Sequence, residues 1–231
     1  MTDFQIQADA AGVAAAAAER IGSVAAAGGH IALAGGSTPE RAYELLRETD
    51  LHGATLWFSD DRAVGPEAPD SNYAMAARSL LDHLAEPHRP RVHRIEGELG
   101  PEAAADRYQA LIRAEMGERP EFDLVLLGLG PDAHTASLFP GKPAVGESGR
   151  LVVAVPEAGM EPWVPRVTFT LPLLNAAREV IFLVSGADKA PAVARAFGEP
   201  ADTKSPAAHV RPDPGQLVVM LDEEAAAGIV R

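Results

Sequence analysis

The sequence predicts an α/β fold: a mainly parallel, Rossmann-like sheet with helices on both faces, in a single domain with room for a small subdomain. Three observations carry this. Short apolar runs alternate with helix-length segments along the whole chain. The run from Phe122 to Leu127 is almost wholly apolar, as a buried strand is. The 231 residues are 47% hydrophobic, enough for one sizeable core, and no internal repeat or long linker divides them.

The elements follow in order. An Ala-rich helix is expected over residues 10–27, since Ala has the highest helix propensity. Asp3 and Asp9 precede it and Glu19-Arg20 interrupt it, so it does not read as a signal peptide or membrane span. Strands are expected at residues 30–33, 56–59, 92–95, 123–127, 151–155, 179–185 and 217–221. Helices are expected at 39–47, 72–84, 102–116 and 189–197. A short extended run follows Arg166, and a loop-rich stretch rich in Pro, Asp and Ala returns the chain to its last strand.

Composition narrows the chemistry. No cysteine is present, which removes disulfides, thiol nucleophiles and Cys-ligated metals. The formal charge of −13 disfavours nucleic acid and anionic membranes, so an anionic substrate would need a local basic pocket. A cytoplasmic monomer is expected.

Ligands of open α/β sheets bind beyond the carboxyl ends of the strands. Four strand exits are unusually polar. In the first, Gly35-Gly36 permit a tight turn, and Ser37 or Thr38 can cap a helix that carries Pro39 in its first turn. Glu40 would complete a capping box from Ser37. Such a helix start suits a phosphate, although a well-capped helix needs the same string. In the second, Asp60, Asp61 and Arg62 follow a strand directly. Arg62 can grip an anion bidentately or belong to a surface cluster, with Asp70 or Ser71 capping the next helix.

The third exit places Asp132, His134, Thr135 and Ser137 within six positions. Its Gly128, Gly130 and Ala133 mimic a dinucleotide fingerprint, but Pro140-Gly141 stop any long helix that the fingerprint requires. The alternative is a rigid loop that presents His134, with Asp132 to orient its ring. Backbone N–H groups of this loop are candidate donors to an oxyanion. In the fourth, Arg166 precedes the extended run, and Lys189 sits in the first turn of a helix, where the dipole disfavours it unless an anion binds.

Taken together and in this order, the four stretches resemble the 6-phosphogluconolactonase family over nearly the whole chain. The family pattern of G-G-S-T-P, Asp-Glu-Arg with Ser-Asn-Tyr, G-x-G-x-D-G-H-T-A-S-L-F-P-G, Arg-x-Thr-x-Thr and G-x-x-Lys appears here in modified form. It is carried by Gly35 to Pro39, Asp60 to Arg62 with Ser71-Asn72-Tyr73, Gly128 to Gly141, Arg166 to Thr170, and Gly186 to Lys189. The resemblance implies hydrolysis of 6-phospho-D-glucono-1,5-lactone in the pentose phosphate pathway, without cofactor or metal. It implies His134 as general base with Asp132 beside it. Substrate contacts are implied at Gly36, Ser37, Thr38, Asp61, Arg62, Gly130, Arg166 and Lys189.

This chain departs from the pattern at three places. Asp61 replaces Glu. Ala133 replaces Gly, which strains the loop if φ is positive there. The segment before Arg166 has no Lys. A glucosamine-6-phosphate deaminase-like isomerase shares the fold but calls for Asp-Glu-Tyr and different residues after the His. A non-catalytic sugar-phosphate-binding regulator would keep the clamp without His134.

Overall fold

The structure is a computed structural model and describes residues 2–229. Its strands are β1 (Thr2–Gln7), β2 (His30–Leu33), β3 (Thr55–Phe58), β4 (Asp60–Arg62), β5 (Arg91–Val92), β6 (Leu124–Leu127), β7 (Val152–Val155), β8 (Arg166–Phe169), β9 (Glu179–Val184) and β10 (Gln216–Asp222). Its α-helices are α1 (Ala10–Ala26), α2 (Ser37–Glu44), α3 (Asn72–Ser79), α4 (Pro101–Met116), α5 (Leu171–Asn175), α6 (Ala190–Phe197) and α7 (Glu223–Ala226).

Seven strands form the main sheet in the order β1-β10-β9-β6-β2-β3-β5, and every pairing is parallel. Its central strands β6 and β9 are buried along their whole length, which is why β6 and residues 180–184 of β9 read as unbroken apolar runs. Consecutive residues of a strand point to opposite faces. On β3, Trp57 packs on Tyr108 of α4 with ring centroids 5.8 Å apart, and Phe58 packs on Tyr73 of α3 at 5.9 Å. Helices therefore cover both faces.

From β2 the strand order proceeds through β3 to β5; on the other side lie β6, β9 and β10. The chain thus reverses direction between β2 and β6. Loops leaving two such strands splay apart and open a crevice at the carboxyl end of the sheet.

The remaining strands form a small antiparallel sheet, β4-β8-β7. The sequence places residues 151–155 in a strand of the mainly parallel sheet. The structure gives β7 to the small sheet, since its partner β8 runs antiparallel to it. Four further elements went unread: β1, β4, α5 and α7. The predicted helix over 72–84 ends at Ser79, where Leu80 leaves helical geometry with φ −137 and ψ −64, and a 3-10 turn follows.

Buried Tyr43 of α2 fixes the entry to the crevice. Its hydroxyl accepts from the Ala34 N–H at 3.0 Å and donates to the Ala34 carbonyl at 2.8 Å. Burial raises its phenol above the usual range, so it stays protonated and can donate. Tyr43→Phe leaves both backbone groups without this partner and should lower stability by ~1–3 kcal/mol in urea unfolding. A loss below about 0.5 kcal/mol, the range of neutral surface changes, would show that the hydroxyl pins nothing.

Candidate active site

A cleft of about 380 Å³ opens at the switch point, lined by the loops after β2, β6 and β9 and by β4 and β8. Its wall includes Gly36, Ser37, Thr38, Arg62, Gly130, His134, Arg166 and Lys189. The fold thus gathers eight of the ten residues singled out from the sequence. They come from the loops after β2, β6 and β9 and from the paired strands β4 and β8.

The loop after β2 forms one end. Ser37 and Thr38 were expected as helix caps, with Glu40 closing a box. Instead Gly36 is the N-cap, at φ 111, and no side chain caps the helix. Glycine adopts that φ freely. Ser37 and Thr38 are therefore the first two helical residues, and their hydroxyls are released from capping. The Thr38 hydroxyl lies 2.7 Å from that of Ser185, at the end of β9. An uncapped helix start leaves N–H donors and a positive dipole end for an anion. Lys189 lines the same cleft. It sits in the 3-10 turn Ala187–Lys189 and is the N-cap of α6, one position before the helix where the sequence placed it.

The loop that carries Asp132 and His134 follows β6. The His134 Nδ1 lies 2.5 Å from Asp132 Oδ1, and the His134 backbone N–H donates to the same oxygen at 3.1 Å. This orients the ring with Nε2 as its other nitrogen. Burial pushes the Asp132 carboxyl up, but its hydrogen bonds and Coulombic attraction to His134 outweigh that and hold it below the usual carboxylate range. Asp132 does not itself line the cleft; it contacts the imidazole at Nδ1.

Two features keep the ring in place. It packs on Phe139 with centroids 4.6 Å apart. A Cβ on Gly130 would fall 2.0 Å from both His134 Cε1 and Nδ1, so only glycine leaves the ring its space. Ala133 does adopt positive φ, 62°, and Ala136 does too, at 47°. Ala133 is also fully buried, so its methyl contributes packing while the backbone is strained. The backbone N–H groups of Gly130, Ala133 and His134 all donate within the loop, so these three are not free for an oxyanion. Between β6 and β7 there is no α-helix, only a short 3-10 turn at Pro143–Gly146, so the long crossover helix of a dinucleotide fingerprint is missing.

The small sheet supplies the third side. Asp60, Asp61 and Arg62 pair with Thr168, Val167 and Arg166 in that order. Alternation sends Asp60 and Arg62 to the cleft and Asp61 away from it. Asp61, expected to touch substrate, instead accepts hydrogen bonds from the backbone N–H groups of Arg62, Asn72 and Tyr73 and from the Ser71 hydroxyl. Burial pushes its carboxyl up to about 6, against the pull of those N–H groups and with a small addition from Asp60. Its role is to anchor the start of α3, where Ser71 is the N-cap.

Arg62 and Arg166 stand opposite each other in register. Like charges so placed are unfavourable until an anion joins them. Arg166 is buried and donates to the Pro162 carbonyl at 3.2 Å; its guanidinium carbon lies 5.6 Å from the Phe139 ring. Burial lowers its pKa; the nearby Asp60 carboxylate opposes that shift and Arg62 adds to it. The Nε atoms of Arg62 and Arg166 are buried without a hydrogen-bond partner. Among the described residues none of Arg62, Arg166 and Lys189 forms an ion pair. Three cations that form no ion pair thus share one cleft with a single lining carboxylate, Asp60, an excess of positive charge that suits an anion.

Asp60 and Asn72 also line the cleft; the sequence places both in motifs but assigns neither a substrate contact. The Asp60 carboxylate accepts from the Ser137 hydroxyl at 2.6 Å, which ties the His134 loop to β4. Period-two alternation within residues 60–62 was the available signal, once that segment is known to be a strand. Among the described residues no group of three or more His, Asp or Glu is placed to hold a metal ion, and no helix is long and apolar enough to cross a membrane.

The chain resembles known proteins over nearly all its length. Residues 5–219 match the family described as glucosamine-6-phosphate isomerases/6-phosphogluconolactonase. A 6-phosphogluconolactonase of Synechocystis sp. is 39% identical over 87% of this chain and 85% of its own. One of Nostoc sp. is 40% identical over 85% of this chain and 83% of its own. Among solved structures, the 6-phosphogluconolactonase from Trypanosoma cruzi superposes with a TM-score of 0.88 at 30% identity, covering 100% of this chain and 98% of its own. The chain belongs to the glucosamine-6-phosphate isomerase/6-phosphogluconolactonase family.

Proposed function

We propose that this chain hydrolyses 6-phospho-D-glucono-1,5-lactone to 6-phospho-D-gluconate, with His134 as general base and a basic clamp for the phosphate. One observation carries the reading: an imidazole held by a carboxylate shares a single cleft with three cations that form no ion pair and outnumber its one lining carboxylate, Asp60. The names of the relatives support the substrate class.

The chemistry is balanced without any cofactor. His134 Nε2 takes a proton from water as the oxygen attacks C1 of the lactone. Asp132 stabilises the imidazolium. The C1–O5 bond then breaks, and the imidazolium returns its proton to the leaving ring oxygen. The new carboxyl group loses its proton to solvent. The uncapped start of α2, Lys189 and the paired arginines hold the anionic substrate. Charge-assisted bonds of this kind contribute ~1.5–3 kcal/mol each, so a few suffice for a small ligand.

The reading is tested by offering the protein two substrates in separate assays. The 6-phosphogluconolactone should be turned over well above its spontaneous hydrolysis, and glucosamine 6-phosphate should release no ammonia. The opposite pattern would assign the chain to the deaminase branch. Binding of 6-phosphogluconate without turnover of either would make it a sugar-phosphate-binding regulator.

A further inference from the structure

We propose that Asn72 is the positioning residue that sets Arg62 in the cleft for its anionic ligand; this rests on the lactonase reading above. Asn72 is buried at the start of α3 and makes contacts in three directions. Its Oδ1 accepts from Arg62 Nη1. Its Nδ2 donates to the Asp60 carbonyl at 2.9 Å and approaches the Asp60 carboxylate at 3.3 Å. Its backbone N–H donates to Asp61 at 2.6 Å. The two acceptors on Asp60 fix which end of the amide faces Arg62.

The space is made for this amide. A Cβ on Gly35 would fall 2.0 Å from Asn72 Oδ1, so the phosphate-side loop yields room that only glycine can leave. Arg62 Nη1 also donates to the Asp70 carbonyl at 2.9 Å, so both anchors of the guanidinium come from the same short segment. Both are neutral. They fix the direction of the side chain without cancelling its charge, and Nε stays unpartnered. A flexible Arg held this way need not be ordered by the ligand, which raises affinity. A carboxylate at position 72 would hold the guanidinium as well but neutralise it.

A double-mutant cycle read by calorimetric titration of 6-phosphogluconate tests the role. Arg62→Ala should weaken binding about 10-fold or more, and Asn72→Ala about 5- to 10-fold. In the Arg62→Ala background, Asn72→Ala should change binding by less than about twofold, because its effect runs through Arg62. Multiplying effects would overturn the proposal. Wild-type protein offers a measurement that does not depend on variants folding. Its crystal structure with 6-phosphogluconate should show Arg62 on the ligand while Asn72 Oδ1 still holds Nη1. A guanidinium that leaves Asn72, or that does not touch the ligand, would overturn it too. If wild-type protein neither binds 6-phosphogluconate nor hydrolyses its lactone, the lactonase reading itself fails. If it does both and the cycle is additive, only the positioning role falls.

Discussion

His134→Ala is expected to lower kcat for lactone hydrolysis by about 10²- to 10⁴-fold, the usual contribution of a positioned general base. The loss should appear in kcat with 6-phosphogluconate affinity retained, since the cations lie on other elements: Arg62 on β4, Arg166 on β8 and Lys189 before α6. Stability should fall little, because the imidazole makes one side-chain hydrogen bond, to a partly exposed Asp132, and one ring contact, to Phe139. The assay belongs in EDTA, so that no contaminating metal supplies a hydroxide in place of the base. His134→Asn repeats the test at closer shape. Turnover near the wild-type rate in either variant would make His134 structural.

The second large effect comes from a methyl group. In Gly130→Ala the added Cβ would fall 2.0 Å from two atoms of the His134 ring, which must move by an ångström or more. Displacement of that size costs on the order of 10²-fold in rate. Backbone strain is not the cause: Gly130 is absent from the positive-φ glycines, so Ala can take its backbone conformation. The Nδ1–Asp132 bond should break with the same motion. The signature is a folded protein with a melting temperature close to wild type and a kcat close to that of His134→Ala. Full activity in Gly130→Ala would mean that the loop gives way and the imidazole is not held where it appears.

What could be read in the sequence was local. Asp132 and His134 are two residues apart, and a turn of that length brings them together whatever the rest of the chain does. The exits of β2, β6 and β9 were equally legible, because a parallel sheet puts them at one end. Register across the small sheet was not. Whether Asp60 or Asp61 faces the cleft depends on pairing with β8, more than a hundred residues away, and a shift of one residue exchanges the two. The capping box failed for a related reason. Gly36 at φ 111 starts the helix two residues before Pro39, and that start moves Ser37 and Thr38 from cap to first turn. Strand β1 escaped notice because it lies at the sheet edge, where its polar, half-exposed residues carry no apolar run.

In the central claim, one cleft uses its cations to hold a phosphate while water, deprotonated by His134, attacks the lactone carbonyl. The most direct test compares kcat/KM, corrected for spontaneous hydrolysis, for 6-phospho-D-glucono-1,5-lactone and for D-glucono-1,5-lactone, which differ only in the phosphate. Two or more charge-assisted bonds predict a preference for the phosphorylated lactone of at least about 10²-fold. Equal values for the two lactones, or no enzymatic rate with either, would contradict it.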